Sequence, residues 1–217
     1  MLSADAVKPR LAHVLWLGGP PDSGKTTIAS EIGARHRISV YHFDRHEPAH
    51  FARADPTRHP ALYAAHPDRM STEERWLGSA PEVMARETMH SWTERFGMAL
   101  DDLLEAPSDG PIIAEGPGIF PECLAPLLSD PRRALWLVPT PTFKRASAIR
   151  RDKPGNRWET SDPARAQQNL IERDLLMGEH VQRSAEALGL TVYLIDGSID
   201  LDGMIDRVEA YFAPWLP

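Results

Sequence analysis

Eight consecutive residues, Gly19-Pro20-Pro21-Asp22-Ser23-Gly24-Lys25-Thr26, carry the clearest chemical signal in the chain. Their spacing is G-x-x-x-x-G-K-[ST], the pattern of a loop that wraps phosphate groups in backbone amides. Gly19 and Gly24 permit backbone conformations and close approaches that a side chain would block. Successive N–H groups from Asp22 and Ser23 onward can point into one concavity and hold phosphate oxygens. A helix starting near Gly24 would add the positive end of its dipole. Lys25 would reach the β- and γ-phosphates of a nucleotide, and the Thr26 hydroxyl would sit on Mg²⁺. With Thr27 in the first turn, these residues are the phosphate-binding candidates. Pro20 and Pro21 lack N–H groups but lie in the early half of the loop, where they stiffen it.

Other residues could complete such a site. Asp44 follows Ile38–Phe43, which alternates apolar and polar as a strand does. Ligand chemistry in open parallel sheets lies just beyond the carboxyl ends of strands, although a helix cap or turn would also place an Asp there. Glu115 ends the apolar run Ile112-Ile113-Ala114 and is placed like the second acid that orders the Mg²⁺ shell beside a phosphate loop; a surface glutamate at a strand end is the plain alternative. Lys144, Arg145, Arg150 and Arg151 lie on a helix that follows Thr140-Pro141. The polar stretch 152–161, broken by Pro154-Gly155, has the composition of a mobile flap. Region 144–165 therefore reads either as a lid that brings cations to a transferring group or as a solvated basic helix. His42, His46 and His50 are four apart and could line a helix face, but Pro48 interrupts the run and no cysteine supports a metal site.

These residues need elements to hold them. His13–Leu17 reads as a buried strand, and the helix after the loop should end near Arg35-His36. Residues 1–12 read as a loose lead-in. Region 45–80, rich in His, Arg and Pro, suits either a polar acceptor pocket or an irregular solvated connection. A helix is expected from Pro81 to about Ala106, with Met89, Trp92, Phe96, Leu100 and Leu103 as its core stripe. Arg86, Glu87 and Arg95 lie off that stripe, facing a cleft or water. A short helix should follow over Pro121–Leu128, then a strand at Ala134–Val138. Asp162-Pro163 starts another helix running to about Leu188, with Ile171, Leu175, Gly178, Val181, Ala185 and Leu188 on one face. Thr191–Ile195 is the last strand, and Leu201, Ile205, Val208 and Phe212 mark the final helix. Alternating strands and helices predict a parallel α/β sheet.

The 217 residues suit a single domain spanning the whole chain. A formal net charge of -7 leaves no electrostatic footprint for nucleic acid. No stretch is long enough to span a membrane, and no signal-peptide pattern opens the chain. Cys123 stands alone in an apolar stretch and reads as a packing residue, so the expected setting is the reducing cytoplasm. The chain has no Asn-Lys-x-Asp guanine motif and no G-x-G-x-x-G dinucleotide fingerprint.

On the Gly19–Thr26 motif and the order of elements, the sequence resembles the phosphate-loop kinases of small molecules, the superfamily of adenylate, shikimate, gluconate, uridine and chloramphenicol kinases. The resemblance implies a three-layer fold: a five-stranded parallel sheet in the order 2-3-1-4-5, flanked by helices and carrying a lid. It implies ATP and Mg²⁺ as cofactors and Asp44 as the group that takes the acceptor's proton or joins Thr26 and Glu115 at the metal. Arg145, Arg150, Arg151 and Arg157 would be the lid cations. Gly197, within Asp196-Gly197-Ser198, would border the adenine. Ile113-Ala114-Glu115-Gly116 is similar to the strand ending of uridine-kinase-like members. The sequence departs from the family in using Glu rather than the commoner Asp in its second acidic motif. It also matches no known acceptor signature between Asp44 and Trp76. The expected activity is transfer of the γ-phosphoryl of ATP to a small polar acceptor, with no nucleic-acid or membrane partner and a homodimer left open. The alternative is an ATP-binding switch or ATPase acting through a protein partner.

Overall fold

The computed structural model describes residues 4–106, 110–151 and 159–217, with residues 149–151 described by their backbone alone. Five strands, β1 (Val14–Gly18), β2 (Ser39–His42), β3 (Ile112–Glu115), β4 (Ala134–Pro139) and β5 (Thr191–Ile195), form one parallel sheet in the order β2-β3-β1-β4-β5. The helices are α1 (Ala4–Val7), α2 (Lys25–His36), α3 (Glu47–Arg53), α4 (Pro60–Ala64), α5 (Thr72–Leu77), α6 (Pro81–Glu105), α7 (Pro121–Leu124), α8 (Pro141–Arg151), α9 (Pro163–Ala187) and α10 (Leu201–Phe212).

Strand alternation sends successive side chains to opposite faces, so the sheet needs a helical layer on each side. Val14, Trp16, Ala114 and Trp136 share one core with Phe96 and Leu103 of α6 and Met177 and Val181 of α9. Leu15, Leu17, Ile113 and Leu137 share the other with Ile28 and Ile32 of α2 and Val208 and Phe212 of α10. The result is a three-layer α/β fold. Because β1 pairs with β3 on one side and β4 on the other, the chain after β1 emerges where the strand order reverses, at the crevice open α/β sheets use for ligands. No described helix is long and apolar enough to cross a membrane.

Several sequence expectations need correction. Residues 4–11 are not a loose lead-in: α1 and a 3-10 turn at Lys8–Leu11 bury Val7 and Leu11, four apart, in the first core. Region 45–80 is helical in large part, as α3, α4 and α5, each too short to show a clear period. The helix at Pro121 stops at Leu124 and continues as a 3-10 turn, Ala125–Leu127. Leu188 and Leu201, expected in apolar stripes, are exposed, because each lies just outside the packed turns of its helix. Arg95 is buried instead of facing a cleft or water.

Candidate functional site

The loop between β1 and α2 is fixed by backbone geometry. Gly19 has φ +132°, and its backbone passes so close to β4 that a Cβ there would lie 2.1 Å from the Leu137 carbonyl oxygen. No side chain can occupy that position without moving a central strand. Asp22 and Gly24 also have positive φ. Gly24 caps α2 without a side-chain hydrogen bond, and the first-turn amides of Lys25, Thr26 and Thr27 have no side-chain acceptor among the described residues. Lys25 is buried and folds back over the loop, where Nζ donates to Pro20 O at 2.9 Å and to Ser23 Oγ at 3.1 Å. Burial pushes its ammonium below the ordinary lysine value, against the pull of Glu115, Asp44 and Asp22.

Two strand ends bring carboxylates to this loop. Glu115 ends β3 and is buried, with both oxygens engaged. The Thr26 hydroxyl donates to Oε2 at 3.2 Å, and His42 Nδ1 lies 2.8 Å from Oε1 across the β2–β3 register. A hydroxyl and a carboxylate in contact are hard oxygen donors of the kind Mg²⁺ takes alongside waters and substrate phosphates, so the residues fit that ion. Among the described residues no group of three His, Cys, Asp or Glu could hold a metal unaided. The three spaced histidines do not share a helix face. His42 ends β2, His46 closes the 3-10 turn Phe43–His46, and His50 sits in α3. His46 stacks on Tyr41, and His50 Nε2 lies 2.9 Å from Asp102 Oδ2.

Asp44 lies in that 3-10 turn, exposed, with no hydrogen-bond partner for its carboxylate among the described residues. It is close enough to Lys25, Glu47 and Arg95 to act on their ionisation. The turn is anchored from both sides. Phe43 packs against the Gly116 backbone, where a Cβ would meet it at 2.2 Å. Arg95, reaching across from α6, donates to Phe43 O at 2.9 Å and to Glu47 Oε1 at 3.0 Å.

The basic helix α8 is only partly as expected. Lys144 is buried, and its Nζ bridges Asp22 Oδ2 at 3.0 Å and Asp174 Oδ2 of α9 at 2.6 Å. It braces the loop and is no mobile cation. The exposed Arg145 pairs with Glu172 of α9 at 2.6 Å. The side chains of Arg150 and Arg151, and all of Arg157, lie outside the described residues, as does most of the expected flap. Gly197, with φ +87°, passes against Phe143 of α8, and Asp196 accepts hydrogen bonds from Ser198.

Region 45–80 lines a cavity of about 580 Å³ together with α6 and Arg173 from the middle of α9. Glu94 of α6 holds α4 by accepting from the amides of Ala61 and Leu62 at 3.2 and 2.7 Å. A reciprocal capping box between Ser71 and Glu74 starts α5. The residues that sequence reasoning missed are the long-range braces: Arg95, Asp102, Glu94, Asp174 and Arg173. One signal was present. Arg95 falls three after Trp92 and beside Phe96, and Asp174 falls three before Met177, so each interrupts an apolar stripe at helical spacing.

No family model and no curated protein matches the chain. Among solved structures, an uncharacterized protein from Eubacterium ventriosum is similar over 94% of this chain and 99% of that one, at 12% identity and a TM-score of 0.42.

Proposed function

We propose that the chain is an ATP- and Mg²⁺-dependent phosphotransferase acting on a small polar acceptor. The observation that carries this reading is the hydrogen bond between Thr26 and Glu115. It joins a glycine-framed loop with a buried lysine to an acid on the neighbouring strand, at the sheet's switch point.

The geometry supports the following division of work. Loop amides and Lys25 neutralise phosphate charge, which a low-dielectric setting makes worth more than in water. Thr26 and Glu115 would hold Mg²⁺, which would supply charge stabilisation to the phosphates when bound. His42 keeps the Glu115 carboxylate oriented. The acceptor's hydroxyl oxygen would bond to the γ-phosphorus as the bond from that phosphorus to the β–γ bridging oxygen breaks, ADP leaving with the electron pair and the hydroxyl proton passing to Asp44. Asp44 suits that role because its carboxylate is exposed, has no hydrogen-bond partner among the described residues and is carried on a braced turn.

The test is ATP consumption against nucleosides, nucleoside monophosphates, sugars and hydroxyl-bearing antibiotics. One acceptor class should stimulate turnover. Lys25→Ala should reduce it by about 10³-fold. Asp44→Asn should bind ATP normally and lose about 10²- to 10⁴-fold in transfer. Full transfer in Asp44→Asn would remove Asp44 as the base. ATP bound tightly or hydrolysed without any acceptor effect would favour a nucleotide switch.

A further inference from the structure

The cavity beside α5 says something about the acceptor's own charge. Arginines are plentiful around it, but most have their charge answered. Arg95 is spent on Glu47 and Phe43 O, and Arg53 on Asp102 at 2.8 Å. Arg173 pairs with Asp174 at 2.7 Å, and the exposed Arg69 lies 3.7 Å over the Tyr63 ring. Arg75 differs. It is half-buried in the cavity wall, its one side-chain hydrogen bond goes to Ala65 O at 3.0 Å, and no carboxylate lies within ion-pair distance among the described residues.

A guanidinium carries five N–H donors in a planar fork that matches a carboxylate or phosphate. Arg75 uses one of its donors on backbone. Burial holds it below the ordinary arginine value; Glu47 pulls the other way, and Arg173 adds to the lowering. An anion seated there would offset both the cost of burial and the Arg173 repulsion. The acids of the wall are differently placed. Glu74 is tied to Ser71 N and Oγ at 2.9 and 2.7 Å, and Glu87 is exposed. Glu47 offers Arg95 one oxygen, which leaves the other to accept from a hydroxyl. Phe51, Met84 and Trp92 supply the apolar wall between these poles.

We infer that the acceptor is an organic acid or phosphate ester with a free hydroxyl, its anionic group held by Arg75 with Arg173 alongside. Its body lies on Phe51, Met84 and Trp92, and its hydroxyl lies on the Glu47 side, three residues from Asp44. The word acceptor rests on the phosphotransferase reading; the anion site does not.

The experiment is isothermal titration of matched pairs into the full chain: uridine 5′-monophosphate against uridine, and quinate against methyl quinate. ATP consumption is measured on the same probes. The acidic member of at least one pair should bind about 10- to 100-fold tighter than its neutral partner, as expected for charge-assisted hydrogen bonds. Which pair responds tells a phosphate from a carboxylate. Arg75→Gln should erase the preference. Arg75→Lys, which keeps the charge and loses the fork, should retain part of it and covers the case in which the glutamine variant fails to fold. Equal binding within both pairs, no binding of either acid at millimolar concentration, or a preference that survives in folded Arg75→Gln would overturn the inference. If a neutral alcohol drives ATP consumption, the phosphotransferase reading stands and this inference falls. If an acid binds through Arg75 without driving consumption, the anion site stands and the phosphotransferase reading falls.

Discussion

The two sides of the candidate site are built in different ways. On the loop side, the decisive groups lie within eight residues of sequence, and the backbone fixes them through positive φ angles, a helix start and contact with β4. On the cavity side, five helices contribute, three of them under eight residues long. Their positions depend on side chains from distant turns: Arg95 to Phe43 and Glu47, Glu94 to Ala61 and Leu62, and Asp102 to His50 and Arg53. A backbone-built site tolerates little change in the residues that shape it. A brace-built site can be retuned by exchanging side chains.

The largest effect should come from breaking the backbone side. Gly19→Ala puts a Cβ 2.1 Å from the Leu137 carbonyl at a φ that L-residues rarely adopt. Strain and overpacking together should cost about 3–5 kcal/mol of stability. Urea unfolding reads the loss, and binding of a non-hydrolysable ATP analogue should fall with it. A loss under about 1 kcal/mol would mean that the loop can shift away from β4, so that backbone geometry does not define it.

The same contrast governs what the sequence revealed. The sheet was legible because its strands are short apolar runs bounded by turns, and the loop because its determinants are contiguous. Asp44 and Glu115 could be placed because the ends of parallel strands lie together. Composition groups Lys144 with the basic residues of a lid or a solvated helix face, because it does not tell a buried, paired lysine from a solvated one; its partners Asp22 and Asp174 lie far from it in sequence. Arg95 was misread because a charge was assigned to the outside of a helix by type. Its position between Trp92 and Phe96 put it on the packed face. The cavity has no sequence signature, since its wall comes from segments brought together only by folding.

A middle-sized effect would show whether the two sides are separable. In Arg95→Met the apolar stem is kept and the guanidinium removed, which leaves Phe43 O and Glu47 without a donor. The expected cost is about 2–4 kcal/mol. ATP-analogue affinity should change less than about twofold, because no loop residue bonds to Arg95, whereas transfer to the acceptor should fall by about tenfold or more as the Asp44 turn loosens. Equal losses in nucleotide binding and transfer would show that the brace supports both sides, and the distinction would fail.

The smallest effect is a pH dependence confined to the braced side. Arg95 Nε donates to His50 Nδ1 at 3.4 Å, so His50 is neutral and carries its proton on Nε2, facing Asp102. Burial lowers the His50 pKa below its ordinary 6.5, with Arg95 and Arg53 adding to the lowering while Asp102 opposes it. Between the folded and unfolded values the unfolded chain binds the extra proton. His50 therefore contributes stability that is complete above about pH 6.5 and is lost as pH falls below it. Asp102 behaves differently. Burial would raise its pKa, but hydrogen bonds from His50, Tyr41 and Arg53 outweigh that and hold it below 3.8, so its contribution fades only in stronger acid. Urea unfolding from about pH 7.5 to about pH 5 should show stability falling, and His50→Gln should flatten that slope because its amide donates to Asp102 without titrating. ATP-analogue affinity in the wild type should hold across the same range, since His50 lies on α3, away from the loop amides. An unchanged slope in His50→Gln would place the acid-sensitive group elsewhere and separate the pH response from the brace.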